Sequence, residues 1–224
     1  MNKLLNLVIW PVLLAPVIYL ALVWNSLPDT LATHFDLHGN PDQYSSKSRM
    51  WIYIPLITVI GVLIYLLLPL AYKVDPKKTA VENKTRLKRL AIAIAIFTSF
   101  IGCVIINTAI KGNIRLNIRL VFGSMGLFWC IIGNYMYNLK PNYFAGLRLP
   151  WTLSDEENWK KTHWLAGKLW FAGGLVILII ALLLPETILI IATMTVAMLT
   201  AIIPGVYSYR LYRKQKRLIE NKES

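Results

Sequence analysis

The sequence has little charge and few reactive side chains. Charged residues make up 16% of its 224 residues, whereas a soluble domain usually carries about 25%. Two cysteines and three histidines are too few for a disulfide framework or a zinc knuckle. The sequence also lacks a phosphate-binding loop, an HExxH helix and a nucleophile placed beside a base. These shortages argue against a soluble enzyme, a disordered chain and a disulfide-stapled secreted domain.

Apolar residues, by contrast, are abundant: 56% of the chain is hydrophobic and its mean hydropathy is +0.53. Six uncharged stretches reach or approach the roughly 20 residues with which a helix crosses a bilayer. We therefore predict an all-α integral membrane protein with six transmembrane helices. The predicted spans are Leu4–Trp24, Trp51–Tyr72, Leu90–Ile110, Leu120–Leu139, Leu169–Pro185 and Thr187–Tyr209. Pro11 and Pro16 lie in the first span, where neighbouring helices can satisfy the carbonyls that they free.

Lysine and arginine are distributed unevenly between the two sides of these spans. Of the 24 basic residues, 19 lie at the amino terminus, in 73–89, in 140–168 and in the tail 210–224, and 5 lie on the other side. Because positive charge is retained in the cytoplasm, we predict that both termini are cytoplasmic. We expect this charge to contact anionic lipids rather than nucleic acid.

The chain accordingly divides into six parts. They are 1–72, the first two spans with an outer loop at 25–50; 73–89, a basic cytoplasmic loop; 90–139, spans three and four; 140–168, a cytoplasmic loop and interfacial helix; 169–209, spans five and six; and 210–224, the basic tail.

The outer loop has a local pattern of its own. Residues 30–38 alternate between apolar and polar, and the following Gly39-Asn40-Pro41-Asp42 is turn chemistry, so we predict a short strand and turn over the outer mouth of the bundle. His34, Asp36 and His38 are metal ligands by type. The alternatives are a solvated polar face and a pH-sensitive loop. We expect no metal and no cofactor.

The inner loop combines a turn-rich segment with the start of a helix. A stiff, turn-rich segment is predicted by Pro141, Gly146 and Pro150. Ser154 with Glu157 reads as a capping box that begins an interfacial helix. Four of the eight tryptophans of the chain belong to this region, namely Trp151, Trp159, Trp164 and Trp170. Tryptophan favours the membrane interface.

One face of this helix suggests a site. Asp155, Trp159 and His163 follow each other at four-residue spacing, and Arg148 can fold back toward Asp155, Glu156 or Glu157. Two interpretations remain open. The face is either a polar pocket that recognises a cytoplasmic partner or an interfacial helix held by tryptophans and a cap.

Two segments resemble a known family. The run GLRLPWTLSDEENWKKTHWLAGKL is similar to the signature of the SdpI family of bacterial multi-span membrane proteins. The matching residues are Gly146, Leu147, Arg148, Pro150, Trp151, Thr152, Leu153, Trp159, Thr162 and His163. Leu149 departs from the threonine usual in the family. The outer loop resembles a small uncharacterised domain that commonly precedes the signature, matching at Leu27, Pro28, His34, Phe35, Gly39, Pro41, Asp42 and Lys47, but His38 is not part of that pattern.

The resemblance implies a non-enzymatic immunity and signalling protein. Such a protein would protect the cell from a secreted toxic peptide outside and dock a repressor in the cytoplasm, without binding nucleic acid directly. The signature candidates, as partner-binding or structural residues, are Gly146, Arg148, Pro150, Trp151, Thr152, Glu156, Trp159, Thr162 and His163. The outer-loop candidates are His34, Phe35, Gly39, Pro41 and Asp42.

A small transporter or lipid-handling protein is the alternative. Asn107, Thr108 and Asn134 lie within predicted spans, where polar groups face a cavity or another helix. No charged residue lies in any predicted span, so an ion relay is poorly supported, and hydrogen bonding between helices explains these side chains better.

Overall fold

The structure is a computed structural model that describes residues 3–36, 40–112 and 115–223. Nearly all of it is helical. The elements in chain order are α1 Lys3–Val23, β1 Thr30–Phe35, β2 Pro41–Ser46, α2 Met50–Leu67, α3 Lys84–Lys111, α4 Arg115–Met136, α5 Pro150–Ser154, α6 Glu156–Leu183 and α7 Glu186–Glu223. The segments Leu68–Lys73 and Lys78–Asn83 between α2 and α3 are 3-10 turns.

Six of these helices are long and apolar enough to cross a membrane, in agreement with the six predicted spans. An even number of spans puts both termini on one side. That side also carries the 73–83 turns and the 137–155 segment, while the hairpin of β1 and β2 lies on the other. The two ends of the bundle are called here the terminal end and the hairpin end.

Pro16 shows how the bundle accommodates a proline within a span. Pro16 has no N–H to donate to the Val12 carbonyl, four residues earlier in α1. The Ser99 hydroxyl of α3 donates a hydrogen bond to that carbonyl instead. Gly102 lies beside the Pro16 ring, where an added Cβ would be 2.9 Å from the proline Cβ. A residue that would weaken an isolated helix therefore ties α1 to α3.

Glycines let α4 and α6 approach until their backbones touch. An added Cβ on Gly133 would lie 2.5 Å from the Phe171 nitrogen, and one on Gly174 would lie 2.5 Å from the Gly126 carbonyl oxygen. Small residues allow such close packing in a bilayer, where burial of apolar surface cannot drive helices together.

The predicted strand is confirmed over Thr30–Phe35, but Pro41 and Asp42, predicted as turn residues, begin a second strand that pairs with it as an antiparallel hairpin. Thr30 pairs with Ser46 at its open end, and irregular register around His34 leaves Thr33 outside the pairing. Leu31 is buried and anchors the hairpin to a cluster at the hairpin end of the bundle. The other buried members of that cluster are Leu20, Leu27, Met50, Ile54 and Ile106.

The start of α6 differs from the prediction. The N-cap is Asp155 rather than Ser154: Asp155 has an extended backbone (φ −132°, ψ 116°), and its carboxylate accepts the Asn158 N–H at 2.8 Å. Ser154 is unavailable as a cap because it ends the short helix that Pro150 begins. The helix that begins here continues without interruption into the fifth span, as Glu156–Leu183.

Candidate functional site

Two buried asparagines hold the signature loop, residues 137–150: Asn83 fastens it to the preceding turns, and Asn142 orders its own backbone. The Asn83 side chain donates to the Lys140 carbonyl at 2.9 Å and accepts the Lys140 N–H at 3.0 Å. The Asn142 side-chain oxygen accepts the N–H groups of Phe144 and Ala145 at 2.9 and 2.7 Å. Buried backbone groups need partners, and these amides supply them where no regular secondary structure does.

Two charged residues extend this attachment. The Asp75 carboxylate accepts the Tyr143 N–H at 2.7 Å, and the Lys77 ammonium donates to the Leu153 carbonyl at 2.7 Å. The turns after α2 and the loop after α4 therefore form one unit at the terminal end.

His163 is the centre of the site. Its ring is almost fully buried and stacks on the Trp159 ring with centroids 3.9 Å apart. Nδ1 lies 2.8 Å from the Trp159 carbonyl oxygen, and Nε2 accepts the Leu147 N–H at 3.0 Å. A carbonyl needs a donor and an amide needs an acceptor, so the neutral Nδ1–H tautomer satisfies both contacts. The imidazole thus bridges α6 and the signature loop.

Three further signature residues complete this buried brace. The Trp159 indole N–H donates to the Leu139 carbonyl at 2.7 Å. The Thr152 hydroxyl donates to the Leu147 carbonyl at 2.7 Å and accepts the Leu149 N–H at 2.9 Å. Gly146 has a φ of +101° and lies against His163. We define the brace as Gly146, Thr152, Trp159 and His163.

Thr162 belongs to a second buried cluster, between α6 and α7. The Asn158 side-chain oxygen accepts hydrogen bonds from the hydroxyls of Ser208 at 2.7 Å and Thr162 at 3.0 Å. The Asn158 amide donates to the Ser208 carbonyl at 3.0 Å. This cluster fixes the last helix against α6 beside the brace.

Arg148, Pro150 and Glu156 are exposed, in contrast to the Thr152, Trp159 and His163 side chains of the brace. Arg148 does not grip the start of α6: within the described part of the chain it has no ion pair, and its Nη1 donates to the Tyr143 carbonyl at 2.8 Å. Two of the three acids expected as partners are engaged elsewhere, since Asp155 caps α6 and Glu157 pairs with Lys161 at 2.5 Å.

Trp151 is intermediate in exposure between the buried brace side chains and the exposed Arg148, Pro150 and Glu156. It is half-buried, and its ring packs against Tyr209 and Tyr212 of α7 with centroids 5.3 and 6.0 Å away. It joins the short helix α5 to the last span.

The outer-loop candidates are divided by the fold. His34 Nδ1 lies 2.6 Å from the Asp42 carboxylate, whereas Asp36 accepts the Asn40 N–H at 2.8 Å. Pro41 pairs with Phe35 at the turn end of the hairpin. Gly39 and His38 lie outside the described residues. Among the residues that are described, no three His, Cys, Asp or Glu side chains converge as metal ligands.

Sequence reasoning missed an outer pocket of about 320 Å³ between the hairpin and the hairpin ends of α2, α3 and α4. Its lining includes Leu31, Ser45, Arg49, Tyr53, Val104 and Thr108. The sequence carried no signal for it, because the lining comes from four separate segments. The buried asparagines 83, 142 and 158 were missed as well, although Asn142 directly after Pro141 is a recognisable turn signal.

Six apolar helices and a hydrogen-bonded loop at one end define a multi-pass membrane protein. Comparison with known proteins confirms the resemblance to the SdpI family. Residues 138–208 match the SdpI/YfhL protein family, and residues 12–59 match a domain of unknown function, DUF1648. The chain is 28% identical over 196 residues to Immunity protein SdpI of Bacillus subtilis (strain 168), covering 86% of this chain and 88% of the relative. No solved structure matches it.

Proposed function

We propose that this chain is a non-enzymatic immunity protein of the SdpI type, which lies in the bacterial cytoplasmic membrane and protects the cell from a secreted toxic peptide. The observation that carries the proposal is the brace. Four residues of the family resemblance, separated along the chain, meet at one place where three of them are buried, in a protein whose similar relative is named an immunity protein.

The outer pocket is the proposed meeting point with the peptide. It opens at the hairpin end, which the distribution of basic residues assigns to the outside. Its walls are largely apolar, and Arg49 and Tyr53 supply polar groups. An apolar side chain of a membrane-active peptide would be desolvated there, while Arg49 would attract a carboxylate.

A cytoplasmic repressor would dock on the exposed surface of the signature loop. The brace holds this surface from behind, so Tyr143, Arg148 and Pro150 are presented on a rigid support. Arginine and aromatic side chains at fixed positions are the usual anchors of protein interfaces.

A lipid-handling protein is the second candidate. It is favoured by a large apolar groove of about 720 Å³ on the outside of α3 and α4, lined by Phe97, Phe100 and Phe128 among others. A soluble substrate would not enter a groove that opens toward hydrocarbon.

The test uses a sensitive Bacillus strain that lacks its own immunity protein. The strain expresses this chain and is exposed to culture supernatant from a producer of the toxic peptide, with survival and membrane potential as the readouts. We expect the wild-type chain to protect. Unchanged killing at normal membrane abundance, also with supernatant from the source organism, would contradict the proposal.

A matched pair of variants tests the outer pocket. Thr33 lines the pocket, whereas Gln43 does not, and both are exposed residues of the hairpin. Thr33→Trp should fill the pocket and reduce protection, while Gln43→Trp should leave it unchanged. Equal protection by both variants would exclude the pocket as the meeting point but leave the immunity function standing.

A further inference from the structure

The groove between α3 and α4 is apolar along its length and open to the outside of the bundle. Phe97 and Phe128 stack with centroids 4.4 Å apart and rings within 3° of parallel. Ile96 and Leu127 line the same groove and are about half exposed, 48% and 54%. These side chains lie within spans, so their surroundings are hydrocarbon rather than water.

The polar side chains of the groove lie at one end, apart from Ser124, whose hydroxyl donates to the Val121 carbonyl at 2.7 Å. Arg89, near the start of α3, and Tyr135, near the end of α4, both line the groove at the terminal end of the bundle. Arg89 is exposed and has no ion pair among the described residues, while the nearby acid Glu82 pairs with Lys140 at 3.4 Å. Arg86 lies one helical turn before Arg89 and adds a second positive charge on that side.

The length of the groove corresponds to one leaflet. On α3 the lining extends from Arg89 to Phe100, which at about 1.5 Å per residue is roughly 16 Å. Half of a bilayer core about 30 Å thick is about 15 Å. A spanning helix from a partner would need contacts along the whole of α3, whereas an acyl chain needs only this half.

We propose that this groove is a binding site for an anionic phospholipid of the leaflet at the terminal end. One acyl chain lies over the stacked pair Phe97 and Phe128. The lipid phosphate is held by the Arg89 guanidinium, which can donate two parallel hydrogen bonds to phosphate oxygens, and by the Tyr135 hydroxyl. This inference is independent of the immunity function.

The test is native mass spectrometry of the purified, delipidated full chain. The probes are palmitoyl-oleoyl phosphatidylglycerol, palmitoyl-oleoyl phosphatidylcholine and water-soluble glycerol phosphate. We expect phosphatidylglycerol to bind about fivefold more tightly than phosphatidylcholine, a preference on the order of one arginine beside an anionic lipid. Glycerol phosphate should not bind measurably, because it cannot occupy the apolar groove. Equal binding of the two lipids, or binding of glycerol phosphate alone, would overturn the proposal.

Three variants locate the site. Arg89→Gln should remove the preference for phosphatidylglycerol, while Lys88→Gln, which removes a neighbouring charge outside the groove lining, should preserve it. Leu127→Trp should weaken the binding of both lipids, because the larger side chain fills the groove. Thermal unfolding without lipid verifies that each variant folds. If Arg89→Gln and Lys88→Gln lose the preference for phosphatidylglycerol equally, general surface charge explains it and the proposed site is wrong. A dimer disrupted by Leu127→Trp would identify a second copy as the occupant and also overturn the proposal.

Discussion

Gly146 and His163 are in direct contact across the signature loop: a side chain on Gly146 would overlap the Nε2 atom that accepts the Leu147 N–H. The positive φ of Gly146 turns the chain so that this N–H points at the imidazole. Two residues 17 positions apart in the sequence therefore depend on each other.

Gly146→Ala should destabilise the protein more than a positive φ alone explains. Gly112 is the matched control, because its φ is +61° but an added Cβ would have no neighbour within 4 Å. We expect Gly112→Ala to cost about 1 kcal/mol through backbone strain. Gly146→Ala should cost clearly more, since it also displaces His163 from Leu147. Thermal unfolding in detergent measures both, and equal losses would show that the contact contributes nothing.

Arg148→Lys should leave the fold intact but weaken activity. The exposed side chain has one hydrogen bond, to the Tyr143 carbonyl, and lysine keeps the charge but not the planar fork. We expect normal membrane abundance and about a tenfold loss in partner capture or protection, on the order of one charge-assisted hydrogen bond. Full activity of Arg148→Lys would contradict a role for this side chain and leave the outer pocket as the candidate site.

Trp159→Ala is the structural contrast to Arg148→Lys. Trp159 is completely buried, so its removal should cost about 3–5 kcal/mol and reduce membrane abundance itself. Normal abundance of this variant would show that the brace is not needed for folding.

Topology is tested by single cysteines on intact cells, after both native cysteines have been replaced. Asn40→Cys should react with an impermeant thiol reagent, and Lys160→Cys should not, because the basic segments predict a cytoplasmic loop. Lys160 is suitable because it is exposed, whereas the neighbouring Asn158 is buried against α7. Labelling at Lys160→Cys alone would reverse the orientation.

The outer loop should carry no transition metal after purification. His34 is paired with Asp42, and Asp36 is used by Asn40, so neither side chain is held toward a common point. Elemental analysis of the purified protein checks this. Stoichiometric metal that disappears in His34→Ala would contradict it.

The ion pair between Asp29 and Lys47, which closes the open end of the hairpin, should weaken only in acid. The hydrogen bond and positive charge of Lys47 lower the pKa of the Asp29 carboxyl. A lowered folded-state pKa means that the stabilisation is fully present above the usual value of about 3.9 and is lost as the pH falls through the folded-state value. Asp29→Asn should therefore lower the melting temperature slightly at pH 7, and the difference should shrink as the pH falls below the usual carboxyl value. A difference that grows on acidification would contradict this assignment.

The sequence by itself determined the six spans and the first strand of the outer loop. A helix crossing hydrocarbon must be apolar for about 20 residues, so each span is visible as an uncharged run. The strand Thr30–Phe35 was visible as an alternating run, whereas the second strand, Pro41–Ser46, was not predicted because it begins with turn residues. The buried roles of Trp159 and His163 followed only partly, since their four-residue spacing placed them together without showing what they contact.

Only the tertiary structure decided the partners within the site. Asn83 meets Lys140 across 57 positions, and Asn158 meets Ser208 across 50. The Arg148 guanidinium donates to the Tyr143 carbonyl, whereas the sequence spacing suggested a carboxylate partner. The physical reason is that spans need only apolar surface, a property of each segment alone. A hydrogen bond between distant segments requires both to be brought within about 3 Å, and only the packing of the helices that carry those segments sets that distance.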